Sequence, residues 1–174
     1  MAEQLDPDVG WGDVDALRRQ WRGPLLIKGL LHPDDAREAI GRGADGIIVS
    51  NHGGRQLDGA VATIRVLPGV VEAAGGRAPV LIDGGFRRGV DVVKALALGA
   101  RAVMIGRPHL WGVACAGEDG VFWVLDLFRR EIDRALALGG WDGVARLDPS
   151  IFFRGQAGGA ERVYKASAPN GSGY

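Results

Sequence analysis

Apolar residues fall into two patterns along the chain: short unbroken runs, and longer stretches where they recur every third or fourth position. The runs are Leu25–Lys28, Gly46–Ser50, Pro79–Asp83 and Ala102–Gly106. Each is short, rich in branched or aliphatic residues and free of polar alternation, which reads as a strand covered on both faces. The longer stretches read as helices. Asp13 caps one running to about Gln20 or Trp21, with Val14, Leu17 and Trp21 on one face and Gly23-Pro24 as its stop. His32-Pro33-Asp34-Asp35 opens the next, with Ala36, Ala39 and Ile40 inward. Proline suits a first helical turn, and the aspartates suit its positive end.

A third helix covers Ala62 to Ala74, with a break or offset expected at Pro68-Gly69. A fourth covers Val90 to Leu98, with Val93, Leu96 and Ala97 inward. After the last strand come a short helix from Pro108 to about Ala116 and a long one from about Asp119 to Leu138. The long one carries Val121, Leu125, Phe128, Ile132 and Leu136 at helical spacing, and Asp126, Arg129, Arg130, Glu131 and Asp133 as a solvated face. The five tryptophans, Phe122 and Phe128 read as core. Strands alternating with helices predict an α/β fold with four parallel strands and flanking helices.

Composition narrows the function classes. The 174 residues suffice for one domain with a real core. Lysine plus arginine equals aspartate plus glutamate, at 21 each, so bulk charge gives no reason to expect nucleic acid or a membrane surface. No stretch approaches the roughly 18 apolar residues of a membrane span. The acidic, polar N-terminus has no signal-peptide pattern, so the expected compartment is the cytoplasm. A single cysteine, Cys115, allows neither an intrachain disulfide nor a cysteine metal cluster, and no metal site is expected. The 29 glycines sit mostly after strands and helices, not in one tract.

Those glycines matter at the strand ends, where parallel α/β folds bind ligands. The second strand leads into Ser50-Asn51-His52-Gly53-Gly54-Arg55-Gln56. His52 is a side chain that exchanges a proton near neutral pH. Arg55 is a permanent planar cation suited to a carboxylate or phosphate. The two glycines let a flat ligand or a backbone come close. Asp83-Gly84-Gly85-Phe86-Arg87 follows the third strand, and Gly106-Arg107 follows the fourth. Exposed N–H groups ahead of a helix, with two arginines, resemble a phosphate site; the alternative is a tight turn beside surface arginines. Lys28 ends the first strand, either as a solvated residue or as a fixed cation in the same mouth. His32 reads as structural, and His109 as peripheral to the phosphate end.

Ser50 to Asp58, preceded by Ile27-Lys28-Gly29 and followed by Asp83 to Asp91 and Ile105-Gly106-Arg107-Pro108, resembles the FMN-dependent 2-hydroxy acid oxidases and dehydrogenases. Glycolate oxidase, lactate oxidase and mandelate dehydrogenase belong to that family. The likeness spans roughly residues 5 to 140. It implies a TIM (β/α)8 barrel with FMN at its C-terminal face, of which this chain is the C-terminal half. It also implies oxidation of a small-molecule 2-hydroxy acid to a 2-keto acid. By the same resemblance His52 would be the base and Arg55 would pair with the substrate carboxylate. Lys28 would stabilise the reduced flavin at its N1/O2 edge, and Ser50 would touch the flavin. Asp83, Gly84, Gly85, Phe86, Arg87, Gly106 and Arg107 would hold the ribityl chain and phosphate.

The departure from the family is the absence of the first four barrel strands. They would supply tyrosines at the substrate, contacts to the flavin ring and the aspartate that orients the histidine. Residues 1–12 then read as the remnant of the loop after strand four, 13–154 as the half-barrel, and 155–174 as a disordered tail. Without its neighbours, the strand at Leu25–Lys28 and the strand at Ala102–Gly106 become sheet edges that invite pairing. The expected partner is the missing N-terminal half or a second copy. The alternative to an enzyme is a non-catalytic half-barrel that binds FMN or phosphate weakly and self-associates.

Overall fold

The structure, a computed structural model, describes residues 8–152. The first seven residues of the expected loop, Phe153 and the expected disordered tail at 155–174 lie outside the described residues. In chain order the elements are α1 (Trp11–Gln20), β1 (Leu26–Leu30), α2 (Pro33–Gly41), β2 (Gly46–Val49), α3 (Thr63–Ala74), β3 (Val80–Ile82), α4 (Gly89–Ala97), β4 (Ala102–Val103) and α5 (Arg107–Gly139). The strands form one parallel sheet in sequence order, β1-β2-β3-β4. Ile27 sits opposite Ile47, Ile48 opposite Leu81, and Ile82 opposite Val103. Four parallel strands with flanking helices are what the alternation of patterns predicts, and they match the half of a (β/α)8 barrel that the family resemblance implies.

The core lies between the sheet and its helices. Ile47 and Val49 of β2 and Ile82 of β3 are fully buried against Leu67 and Val70 of α3, with Ala36 and Ala95 completing the packing. Burying each of the larger side chains contributes about 1.5–3 kcal/mol. α3 runs unbroken through Pro68, contrary to the expected interruption. Proline forfeits one backbone hydrogen bond there, while the buried Leu67 and Val70 on either side hold the helix to the sheet.

Several other expectations are corrected. Only β2 is buried along its whole length. β1 and β4 are the sheet edges, as expected for strands without their barrel neighbours, and Leu26 is 41% exposed. β4 spans two residues instead of five, although the Met104 N–H still donates to the Ile82 carbonyl at 2.8 Å. α1 begins at Trp11, with Gly10 as its cap; Asp13 lies inside the first turn and accepts from the Gly10 N–H at 2.8 Å. Its expected inner face is not buried, and Leu17 and Trp21 are exposed. Of the aromatic residues read as core, Phe128 is buried, whereas Trp21, Trp111, Trp123 and Phe122 are exposed.

Two close approaches place α5. Non-helical geometry at Ala116 and Gly117 divides it, so the two expected helical segments exist as one kinked element. Gly112 and Gly120 face each other across that kink, and a Cβ on either would overlap the other's backbone. Further along, Phe128 and Ile132 lie against Gly89, where a Cβ would come within 2.6 Å of the Ile132 nitrogen. Glu131, expected on the solvated face, instead accepts from the Gly89 N–H at 2.7 Å and from Arg88 Nε at 2.6 Å. It thereby supplies a carboxylate to the positive end of α4. That Gly89 N–H, then Arg88, holds the Glu131 carboxyl below its ordinary pKa of 4.5, against the opposing effect of burial. At the other end of the sheet Asp45 accepts from the Leu25 N–H at 2.8 Å and Arg18 Nη1 at 2.9 Å, tying the entry of β1 to that of β2.

Candidate active site

β2 delivers its last residues into a turn that few sequences adopt. Ser50 is buried, and its Oγ accepts from the His52 N–H at 3.1 Å. Asn51 Oδ1 accepts from the Gly53 N–H at 2.9 Å, and the Asn51 carbonyl accepts from the Gly54 N–H at 3.0 Å. These bonds wind His52–Gly54 into one 3-10 turn with φ of +53°, +64° and +74°. Glycines take that geometry freely. His52 does not, and among the described residues it is the one non-glycine at positive φ. The left-handed region costs a side-chain-bearing residue about 1–2 kcal/mol. The surrounding hydrogen bonds hold it there.

The first strand end meets the third at a polar cluster. Lys28 Nζ donates to Ser50 Oγ at 2.8 Å and lies 2.9 Å from Asp83 Oδ2. Lys28 and Asp83 side chains are 40% and 17% exposed, so the ion pair is partly shielded. Asp83 also continues the sheet, its N–H donating to the Val49 carbonyl at 3.0 Å. Its Oδ1 is buried with no hydrogen-bond partner among the described residues. An unmatched buried carboxylate oxygen calls for a donor such as a hydroxyl.

Gly84 and Gly85 follow with φ of +91° and +90°. A Cβ on Gly84 would meet Asn51 Oδ1 at 2.7 Å, so the loop after β3 rests directly on the turn after β2. Beneath both, Thr63 Oγ1 donates to the Asp83 carbonyl at 2.7 Å and approaches that of Gly84 at 3.2 Å. A Cβ on Gly85 or Gly106 would meet nothing within 4 Å. From the β4 end, Arg107 Nη2 donates to the Gly53 carbonyl. Arg87 lies over the Trp111 ring, 5.8 Å from its centroid, a distance that suits a cation–π contact.

These loops surround a cavity of about 630 Å³. Its wall includes His52, Arg55, Asp83, Gly84, Gly85, Arg87, Gly106 and Arg107, so most of the residues singled out in the sequence converge on one space. Lys28 and Ser50 are not part of the wall; they reach it through Asp83. Phe86 borders the cavity but its side chain is in the core. Three arginines against two aspartates, Asp58 and Asp83, make the wall net positive. The volume, the glycine-lined approach, the cationic wall and the unmatched Asp83 oxygen together fit a ligand with an anionic group and hydroxyls.

The sequence reading did not assign Asn51, Asp58, Thr63 or Trp111. Thr63 at a helix start carries a signal, but it suggests a cap, whereas its hydroxyl braces the next loop. Trp111 lies four residues after Arg107, on the same helical face. His32 Nδ1 accepts from the Asp34 N–H at 3.2 Å and caps α2, a structural role. His109 stands outside the cavity wall. Among the described residues no cluster of three potential metal ligands occurs, and no helix is long and apolar enough to cross a membrane.

Residues 1–154 match the profile of the FMN-dependent dehydrogenases. The chain is 51% identical to 2-hydroxyacid oxidase 1 of Mus musculus over 151 residues, which is 87% of this chain and 41% of that protein. It is 48% identical to an L-lactate dehydrogenase of Caulobacter vibrioides over 166 residues, 95% of this chain and 42% of the relative. Among solved structures, that of the monotopic membrane protein (S)-mandelate dehydrogenase superposes with a TM-score of 0.83 at 50% identity. The superposition covers 87% of this chain and 40% of the other. The chain thus spans about two fifths of the length of the curated relatives it matches.

Proposed function

The chain belongs to the FMN-dependent dehydrogenase family, and from that premise we propose that it is the C-terminal half-barrel of an enzyme oxidising a 2-hydroxy acid to the 2-keto acid. The observation that carries this reading is the convergence of His52, Arg55, Asp83, Arg87 and Arg107 on one cavity at the ends of three parallel strands. FMN, when bound, supplies the acceptor for the two electrons that leave the substrate. Arg87 and Arg107 would bind its phosphate, with the N–H groups around Gly84, Gly85 and Gly106 in support. Asp83, with its unmatched oxygen, would accept from a hydroxyl of the ribityl chain. Phe86 contributes its backbone to this cradle, since its side chain is committed to the core. Lys28, held by Ser50 and Asp83, would supply the cation for negative charge on the flavin ring, and Ser50 would act at the flavin through Lys28. Arg55 pairs with the substrate carboxylate through its planar fork. His52 would take the substrate proton, and its strained turn fixes the backbone from which the imidazole projects.

Turnover in this reading requires a partner for the two sheet edges, namely an N-terminal half-barrel. The purified chain should be titrated with FMN, alone and with a supplied N-terminal half, while flavin absorbance and fluorescence are followed. The expected results are flavin binding and, in the two-part complex, bleaching on addition of lactate, glycolate or mandelate. His52→Ala should keep the bound flavin and slow bleaching by about 10²–10⁴-fold. Normal bleaching in that variant overturns the base assignment. A second reading, a non-catalytic half-barrel that pairs with its own copy, is favoured by the exposed edges at Leu26 and Met104. It predicts a dimer in sedimentation that binds flavin and never bleaches.

A further inference from the structure

The turn that carries His52 is strapped from the anion side of the cavity. His52, Gly53 and Gly54 are all left-handed, and His52 gains nothing intrinsically from being so. Short-range bonds from Ser50 and Asn51 shape the turn at its start. The Gly53 carbonyl accepts from Arg107 Nη2, a contact that reaches across 54 residues of sequence from the first residue of α5. The guanidinium needs the absence of a side chain at Gly53, because a Cβ there would meet Nη2 at 2.5 Å.

We infer that Arg107 is the positioning residue for the His52 turn, and that an anion bound by Arg107 tightens that turn. This inference rests on the reading of Arg107 as an anion ligand and deepens it. The guanidinium is a planar fork with five N–H donors, of which the Gly53 bond uses one end. Nε and Nη1 remain for an anion, so ligand and strap are held at once. Arg107 is exposed, and its long side chain gives up rotamer freedom to hold Gly53. An anion that already fixes the guanidinium removes that cost from the strap. Occupancy of the phosphate position is thereby transmitted to the residue proposed as the base, without movement of the sheet.

The test is amide hydrogen exchange by mass spectrometry on the purified full-length chain, with inorganic phosphate as the probe. Peptides covering 50–57 report the turn, those covering 84–88 and 106–109 report the anion site, and those covering 80–82 report the folded sheet. Arg107→Met should speed exchange in 50–57 by about tenfold, the factor that loss of one hydrogen bond to a charged group allows, with the sheet unchanged. Phosphate should slow exchange at 50–57 in the native chain and leave that peptide unaffected in Arg107→Met. If Arg107→Met disturbs the sheet as well, Arg107→Lys is the variant read. It keeps the charge and loses the planar fork, so it should protect 106–109 with phosphate while 50–57 stays fast. Unchanged exchange at 50–57 in both variants overturns the strap. Protection of the anion-site peptides with no response at 50–57 overturns the coupling and leaves the anion site standing. A response in neither segment overturns both.

Discussion

Gly84 and Gly85 share a backbone geometry but not an environment, and alanine substitution should separate the two. Both have φ near +90°, where alanine costs about 1–2 kcal/mol in strain. At Gly85 that is the whole effect, because a Cβ there meets nothing within 4 Å. At Gly84 the new Cβ lies 2.7 Å from Asn51 Oδ1, closer than real Cβ contacts come, and 3.4 Å from Thr63. Asn51 must swing away and give up its 2.9 Å bond from the Gly53 N–H. A lost hydrogen bond of this kind costs about 1 kcal/mol. Gly84→Ala should therefore destabilise the chain by about 1 kcal/mol more than Gly85→Ala, or about 0.5 M in urea midpoint at a slope near 2 kcal/mol/M. The assay is urea unfolding at fixed protein concentration, followed by fluorescence of the tryptophans. Gly84→Ala should also release the His52 turn, seen as faster amide exchange at 50–57, which Gly85→Ala should not do. Equal midpoints for the two variants would mean that the loops after β2 and β3 do not rest on one another, and the reasoning would fail.

Three further outcomes are expected. The Glu131 carboxyl is held below its unfolded pKa, so its contribution to α4–α5 docking is complete above that unfolded value and is lost as pH falls through the folded one; acid titration should weaken the chain below about pH 4.5, and Glu131→Gln should remove that part of the pH dependence. Gly120→Ala would push a Cβ into the Gly112 backbone and should cost about 1–3 kcal/mol or more, measured by denaturant unfolding, whereas Gly143→Ala, in open space, should be nearly silent. In the complex with an N-terminal half, Arg55→Lys keeps the charge without the bidentate fork and should raise the apparent KM for 2-hydroxy acids; use of the corresponding esters as well as the free acids would remove Arg55 from the substrate.

Alternation of short apolar runs with helical spacing was enough to read four parallel strands, because period and branching are local properties. Burial was not local. Leu25–Lys28 and Gly46–Ser50 look alike as sequence, yet β1 is half exposed and β2 fully buried, since position in the sheet decides it. The aromatic residues misled for the same reason: Phe122 and Trp123 are as apolar as Phe128, but of the three Phe128 alone is buried. Most of the candidate site was legible, because strand ends place chemistry-bearing residues wherever the fold puts the strands. The braces were not. Thr63 and Glu131 act through hydrogen bonds to another loop or helix and Asn51 by resting against Gly84, and no spacing rule announces a partner 20 or 42 residues away.

The distribution of those braces bears on what half a barrel can do. The anion side is supported from within the chain: Thr63 and Asn51 hold the loop after β3, Glu131 fixes the start of α4, and the Gly112–Gly120 crossing sets the kink in α5. The Lys28 side stands at an uncovered sheet edge. The His52 backbone is bound on several sides, yet no described residue hydrogen-bonds its imidazole. In catalytic sites a histidine base is oriented by a third group on its other nitrogen. On the proposed reading, cofactor affinity and proton transfer therefore separate in this chain. The end proposed to hold the phosphate carries its own supports, whereas the imidazole, as the proposed base, would need an acceptor from outside these four βα units. Joining a second half would act first on the orientation of His52 and only secondarily on the anion grip proposed for Arg87 and Arg107. An incomplete barrel of this kind should bind before it can turn over.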